Sequence, residues 1–389
     1  MPNTLSFNQC ATLLNAINQQ ATGRTDITPT TTADFISMAT TVLNTGYDPV
    51  INAISQVLSR TVFSVRPYNR KFRGLFMDAQ RWGNHVRKLQ VLDKDAEDDD
   101  RLKLVDGESV DQQRVNKPSV LQTNFYGANV YQRSVTIFRD QLDSAFSSPD
   151  EFGRFISMVM QNVSDLMEQD HENMARLTLG NFIAAKLTAD TGNVIHLVTE
   201  YNDVTGLSLT SDTVKQPENF VPFMKWAYAR IKTISGLMTE RSVKYHMNID
   251  GKTISRHTPR DKQKLYMYAA NVNEIEASVL SSVYHDGYLK GMDYETVSYW
   301  QSIDTPMGIS IKPSYIDNTG AVVTAAENVV QSNILGVLFD EEAVGITTVN
   351  TWSAPAPFNA RGGYTNTFWH YTDRYFNDLT ENGVVFLLD

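Results

Sequence analysis

Residues 148–187 read SPDEFGRFISMVMQNVSDLMEQDHENMARLTLGNFIAAKL, and this stretch decides the fold. Ser148 offers an N-cap hydroxyl, Pro149 fits the first helical position and Glu151 completes a capping box, so a helix starts at Pro149. Phe152, Phe155, Ile156, Val159, Val163, Leu166, Met167, Met174 and Leu177 then recur at steps of three and four. That spacing makes one apolar stripe. At ~1.5 Å per residue, a helix over 149–187 runs roughly 55 Å, longer than a small domain is wide. A helix of that length beside an extended arm suits a protein that reaches its neighbours.

Working upstream, the charge is segregated. Residues 60–88 carry Arg60, Arg66, Arg70, Lys71, Arg73, Arg81, Arg87 and Lys88 against Asp78, whereas residues 93–111 are dominated by carboxylates, among them Asp98, Asp99 and Asp100. Strand-like pieces at 62–65, 89–92, 101–105 and 120–138 make 60–133 a projecting β-hairpin with its tip near 97–100. Before it, residues 7–58 hold three short helical patterns, the third capped by Asp48-Pro49, with a Thr-rich linker at 22–32. Short helices of this kind need a surface to lie on, either the rest of the fold or a neighbouring copy.

Downstream, 194–209 reads as a short β-excursion about Asn202-Asp203, and 219–237 as a second helix. Strands are expected at 243–249, 265–269, 297–300 and 307–311, with a helix at 274–284. The apolar run 333–339 ends in Asp340-Glu341-Glu342, and 365–389 returns to extended chain with Phe368, His370, Thr372 and Arg374 opposite Trp369, Tyr371 and Asp373. The sum is an α+β protein.

Composition bounds the function. At 389 residues, 42% hydrophobic and 20% charged, the chain has the makings of an ordered globular protein. A formal charge of −10 argues against nucleic-acid binding through the overall field. The single Cys10 excludes an intramolecular disulfide and any multi-cysteine metal site. Neither a leader nor a membrane span is evident, so the chain reads as soluble and made in a cytoplasm.

Catalytic motifs fail on inspection. Gly251-Lys252-Thr253 has the end of a phosphate-binding loop but His246 where that loop needs glycine, and His171-Glu172 has Ala175 where a zinc protease needs histidine. The latter pair reads as a solvated helix face. Asp98-Asp99-Asp100 could collect a divalent cation, although a solvated acidic loop is the better reading. Tyr68, Phe72, Phe76 and Trp82 interleave with the cations of 60–88 in a pattern that also suits single-stranded nucleic acid, but the acidic limb that follows competes for those cations. No catalytic, metal or cofactor-binding residue is assigned. A hydrolase site within 219–351 would need a pocket of convergent perturbed groups.

The order of parts, with Gly46-Tyr47-Asp48-Pro49-Val50-Ile51, His257-Thr258-Pro259-Arg260-Asp261 before Leu265-Tyr266-Met267, Gly336-Val337-Leu338-Phe339-Asp340 and Ala343-Val344-Gly345-Ile346, resembles the major capsid proteins of tailed bacteriophages, the Hong Kong 97-type fold. The resemblance implies an N-terminal arm (1–59), an extended loop (60–133), a peripheral domain (134–215) with a spine helix at 149–187, an axial domain (216–351) and C-terminal strands of the peripheral domain (352–389). It implies a structural protein without enzymatic activity that assembles as hexamers and pentamers into an icosahedral head enclosing double-stranded DNA. Such a protein belongs to the virion and is made in the bacterial host cytoplasm. Encapsulin compartments share the fold and are the alternative.

The short arm implies a separate scaffolding protein, with a portal and cement proteins as further partners and no membrane. Some members of the family crosslink Lys to Asn, but no such set aligns here. Charge complementarity makes Arg66, Arg70, Lys71, Arg73, Arg81, Asp98, Asp99 and Asp100 the candidate inter-subunit contacts.

Overall fold

The computed structural model describes residues 5–24, 29–60, 71–77, 85–92, 97–113, 115, 117, 119–249, 251–252, 254–280 and 294–389. Three helices open the chain, α1 (Phe7–Thr22), α2 (Thr32–Leu43) and α3 (Tyr47–Arg60). Strands β1 (Val86–Val91) and β2 (Val120–Phe125) pair antiparallel, Val91 opposite Val120, into a two-stranded ribbon. Next come β3 (Ala128–Phe138), α4 (Arg139–Ala145) and α5 (Pro149–Ala189). The second half runs β4 (Val194–His196), α6 (Leu197–Thr205), α7 (Pro217–Met238), β5 (Gln263–Tyr268), α8 (Ala269–Leu280) and β6 (Glu295–Val297). It continues through β7 (Ile309–Ile311), β8 (Ser314–Ile316), β9 (Val322–Thr324), β10 (Val329–Gln331), β11 (Ile334–Asp340), β12 (Val344–Pro355), β13 (Tyr364–Asn377) and β14 (Gly383–Leu387).

Helix α5 is the spine, 41 residues and about 60 Å long. Ser148 Oγ accepts from the Glu151 amide at 3.2 Å, but the Glu151 carboxylate turns to Arg154 instead of closing the capping box. The N-terminal half buries Phe152, Phe155, Ile156 and Val159 against α1, α2, α3 and α4, and Val163 is buried a turn further on. Past residue 170 the surroundings change. Ala175, Leu179, Phe182, Ile183, Ala184 and Ala185 are all buried, which is the pattern of a helix covered on most sides. Leu177, expected in the stripe, is exposed instead, whereas His171 and Glu172, expected in solvent, are buried.

A five-stranded sheet, ordered β4-β14-β11-β5-β6, packs against this second half of the helix. Val337, Phe339, Val385 and Leu387 face α5, while Leu338, Val384, Phe386 and Leu388 face α6, α7 and α8. Burial on both faces is why 334–339 is a continuous apolar run, with no alternation. A three-stranded sheet, β12-β13-β3, covers another side of α5. On β13, Trp369, Tyr371 and Asp373 are buried and the intervening residues half exposed, as the alternation predicts.

Several local expectations are corrected. Residues 197–205 form a helix where a β-excursion was expected, because Leu197, Val198 and Tyr201 share a buried face and Gly206 ends the turn at φ 74°. Residues 243–249 form no strand. Side-chain bonds hold this segment instead, His246 Nε2 donating to the Ile254 carbonyl at 2.7 Å and the Ile254 amide donating to Asn248 Oδ1 at 2.9 Å. The strand expected over 120–138 breaks at Tyr126-Gly127, where the Tyr375 amide donates to the Gly127 carbonyl at 3.2 Å. A Cβ on Gly127 would lie 2.7 Å from the Tyr375 carbonyl oxygen. The ribbon pairing therefore ends at Phe125, and residues 128–133 belong to the sheet with β13. Of the C-terminal strands, β13 joins that sheet while β14 lies between β4 and β11, and β12 spans position 351. The helix expected at 274–284 runs from Ala269 to Leu280, and 281–284 fall outside the described residues, as do 62–65.

Candidate assembly interface

The ribbon has an inverted face. In a strand lying on its own core, alternate apolar side chains point inward. In β1, Lys88 and Gln90 point toward the body whereas Arg87, Leu89 and Val91 point out, Leu89 at 57% and Val91 at 70% exposure. Opposite them on β2, Val120 is also exposed. The loop beyond adds exposed Leu102, Leu104, Val105, Val110 and Val115. Isolated surface aliphatics are ordinary, but this many within one element make it a candidate docking surface.

Polar side chains fix the root of the ribbon. Lys88 Nζ lies 2.5 Å from Glu381 Oε1, 3.1 Å from Asp378 Oδ2 and 3.5 Å from Glu342 Oε2. Gln90 Nε2 donates to Glu381 at 3.4 Å, and Arg256 Nη1 lies 3.1 Å from the same carboxylate. Burial alone would lower the lysine, but Asp378 and Glu381 outweigh it and hold the Lys88 ammonium above its ordinary value. Burial raises the Glu381 carboxyl, with Lys88 and Arg256 pulling the other way. Phe125 packs on Phe376 with ring centroids 5.4 Å apart, and this fixes the β2 side. The ribbon is thus anchored along its inner face, from Phe125 at the base through Lys88 to Gln90, and exposed along its outer face.

The acidic run lies in the connection between β1 and β2. With Val91 opposite Val120, the midpoint falls between residues 105 and 106, next to Gly107 at φ 93°. Asp99 caps a short 3₁₀ turn over Asp100–Lys103, accepting from the Arg101 amide at 2.9 Å and from its guanidinium at 2.8 Å. The side-chain bond from Arg101 holds the Asp99 carboxyl below its ordinary value. Asp98 and Asp100 are exposed beside it. Among the described residues, no cluster of three or more His, Cys, Asp or Glu is placed to hold a metal ion.

Of the basic limb, Arg87 and Lys88 lie in the ribbon, whereas residues 71–77 do not. Lys71 and Arg73 are exposed on a short segment that packs against α5 and β12, with Phe72 and Leu75 buried. The Lys71 amide donates to Glu172 Oε2 at 2.7 Å, and its ammonium donates to Ser298 Oγ at 3.0 Å. Glu172 in turn pairs with Arg176 at 2.6 Å, and the Arg176 guanidinium lies over the Phe72 and Tyr299 rings. Phe76 packs edge-on against His171, so neither Phe72 nor Phe76 offers a free face for stacking a base. Arg66, Arg70, Arg81, Tyr68 and Trp82 lie outside the described residues. Their spacing in the sequence could not distinguish a hairpin limb from a strap across the body.

Behind the ribbon root lies a cavity of about 480 Å³, with Arg241, Arg256 and Lys262 opposite Glu341, Glu342 and Glu381. Lys262 and Glu341 pair across it at 2.5 Å. None of the described helices is long and apolar enough to cross a membrane.

A spine helix held between two sheets, with an anchored ribbon that turns aliphatic side chains outward, defines a shell subunit of the Hong Kong 97-type fold. A family model described as Phi29-like phage major capsid protein matches residues 14–387, and the chain belongs to that family. The fold is similar to that of a chain in the capsid structure of Staphylococcus phage Andhra, at 11% identity and TM-score 0.54 over 85% of this chain and 87% of that one. A chain in the structure of the head fiber and inner core protein gp22 of native bacteriophage P68 gives 10% identity and TM-score 0.54, over 85% and 87%. No curated protein sequence matches this chain. It is a phage major capsid protein, a structural component that self-assembles into the virion shell.

Proposed function

We propose that the chain assembles as hexamers and pentamers into an icosahedral head around double-stranded DNA, with the ribbon and its loop laid on an adjacent copy. The outward-facing Leu89, Val91 and Val120 carry this reading, since burial in a neighbour removes their exposed area from water at about 25 cal/mol per Å². In this reading, residues 60–133 hold the extended loop, α5 with the three-stranded sheet forms the peripheral domain, and the five-stranded sheet with α7 and α8 forms the axial domain. Asp98, Asp99, Asp100, Lys71 and Arg73 are contact residues, and charge complementarity in the sequence extends the same role to Arg66, Arg70 and Arg81.

The protein is made in the bacterial host cytoplasm, works with a separate scaffolding protein, a portal and cement proteins, and has no catalytic role. Electron microscopy of the purified protein, with sedimentation over a concentration series, tests this. Closed shells, tubes or capsomer rings support the reading, and a monomer under every condition contradicts it.

A further inference from the structure

We infer that the acidic loop 97–113 of one copy docks on a cationic surface formed by residues 237–264 of the next. This rests on the reading of the ribbon as an inter-subunit arm and names the surface that receives it. In a chain of net charge −10, the loop holds seven carboxylates against Arg101 and Lys103, while residues 240–264 hold seven Lys or Arg against three carboxylates. Close contacts fold the second stretch into one surface. Ser242 bridges to Arg256, the Thr258 amide donates to the Met238 carbonyl at 2.7 Å, and Arg260 lies over Gly236. Arg241, Lys244, Lys252 and Arg260 are exposed on it, as is Lys262, which pairs with Glu341 at its edge, and Leu237 and Val243 are each 44% exposed among them. The loop has the complementary composition, with Leu102, Leu104 and Val105 exposed between Asp99, Asp100 and Asp106.

The receiving copy is a different one. Arg256 shares Glu381 with Lys88, so the cationic surface borders the root of its own ribbon. The loop side chains described between 97 and 113 are all exposed, which leaves them open to another copy. A contact between two different surfaces repeats from copy to copy and closes into a ring when the rotation allows.

The test reverses each surface alone and then both together. Asp98→Lys, Asp99→Lys and Asp100→Lys form one set, and Lys244→Glu, Lys252→Glu and Arg260→Glu the other. Shell yield is counted by electron microscopy, and folding is checked by thermal melting of the soluble fraction. Each set is expected to lower the yield by about tenfold or more, and the combination to restore it to within about threefold.

A combined variant as defective as either set overturns the inference. So does a cationic-surface variant with normal shells but reduced DNA content, which would assign that surface to the genome. Failure of the parent chain to form shells would refute the shell reading itself. Independently of folding yield, Leu102→Cys with Val243→Cys should give a ladder of covalent oligomers with a short bismaleimide in assembled particles, because Cys10 is buried and silent. Absence of that ladder counts against the contact.

Discussion

Replacing Lys88 with Met should release the ribbon root while leaving the body folded. The lysine is 15% exposed and serves two carboxylates that are themselves buried, Glu381 at 7% and Asp378 at 3%. Unit charges 3 Å apart attract by about 5 kcal/mol at an effective dielectric constant of ~20, but desolvation of the lysine offsets much of that. Removing one member of a buried pair typically costs about 3–5 kcal/mol. Here Arg256 still faces Glu381, and the Thr380 amide and hydroxyl still donate to Asp378, so about 2–4 kcal/mol is the better figure.

That energy acts between the ribbon and the 378–381 turn. A two-stranded ribbon by itself is marginal in water, so the ladder opens once its root leaves the body. Amides of Val86–Val91 and Val120–Phe125 should therefore exchange roughly 30 to 1,000 times faster in the variant, by the conversion of about 1.4 kcal/mol per decade. The fully buried strand β11 is the internal control and should change little. Hydrogen exchange with mass spectrometry resolves the two segments. Equal exchange in variant and parent, or an equal rise in β11, would refute the idea that this cluster anchors the ribbon locally.

Gly127→Ala should lower stability by about 1–3 kcal/mol, because the added Cβ meets backbone at Tyr375 that cannot swing away; an unchanged urea midpoint contradicts this. His246 is buried, and burial pulls its imidazole below the ordinary value despite carbonyl partners on both ring nitrogens. With the folded value depressed, its contribution is complete above about pH 6.5 and is lost as pH falls through the folded value, at up to about 1.4 kcal/mol per pH unit. Urea unfolding of unassembled protein at pH 7.5 and pH 5.5 should show this loss, and His246→Gln should flatten it. Leu89→Ser with Val91→Ser should change the stability of the unassembled chain by no more than about 0.5 kcal/mol while cutting shell yield. Normal yield would remove the argument from exposed aliphatics.

The parts that were legible in the sequence are those governed by one local period. The cap at Ser148, the first half of the α5 stripe and the alternation of β13 each follow from spacing alone. Errors fall where the surroundings change along one element or where side chains replace the backbone ladder. His171 and Glu172 sit on what looks like a polar face, yet Asp373 and the Lys71 amide wait for them at positions remote in sequence, with Arg176 one turn along the helix. Residues 243–249 have strand composition, but His246 and Asn248 divert the backbone groups a ladder would need. The cationic excess of 240–264 stands in the sequence, but that it folds back on itself shows only when Ser242 meets Arg256.

A ribbon with open edges and an aliphatic outer face invites pairing with its own copy, the simplest route to an unwanted dimer. Such pairing is two-fold symmetric and sets the same loop against itself, seven carboxylates and two cations on each side. The alternative contact sets that loop on a stretch with seven cations and three carboxylates. Repulsion in the first arrangement and attraction in the second act in the same sense, and specificity is a difference between such terms. Each exposed pair contributes only about 0–1 kcal/mol, so neither arrangement is held by charge alone. The aliphatic area is available to both, and it is the sign of the loop that favours head-to-tail contact over ribbon-to-ribbon pairing. Head-to-tail contact is what a ring of subunits requires.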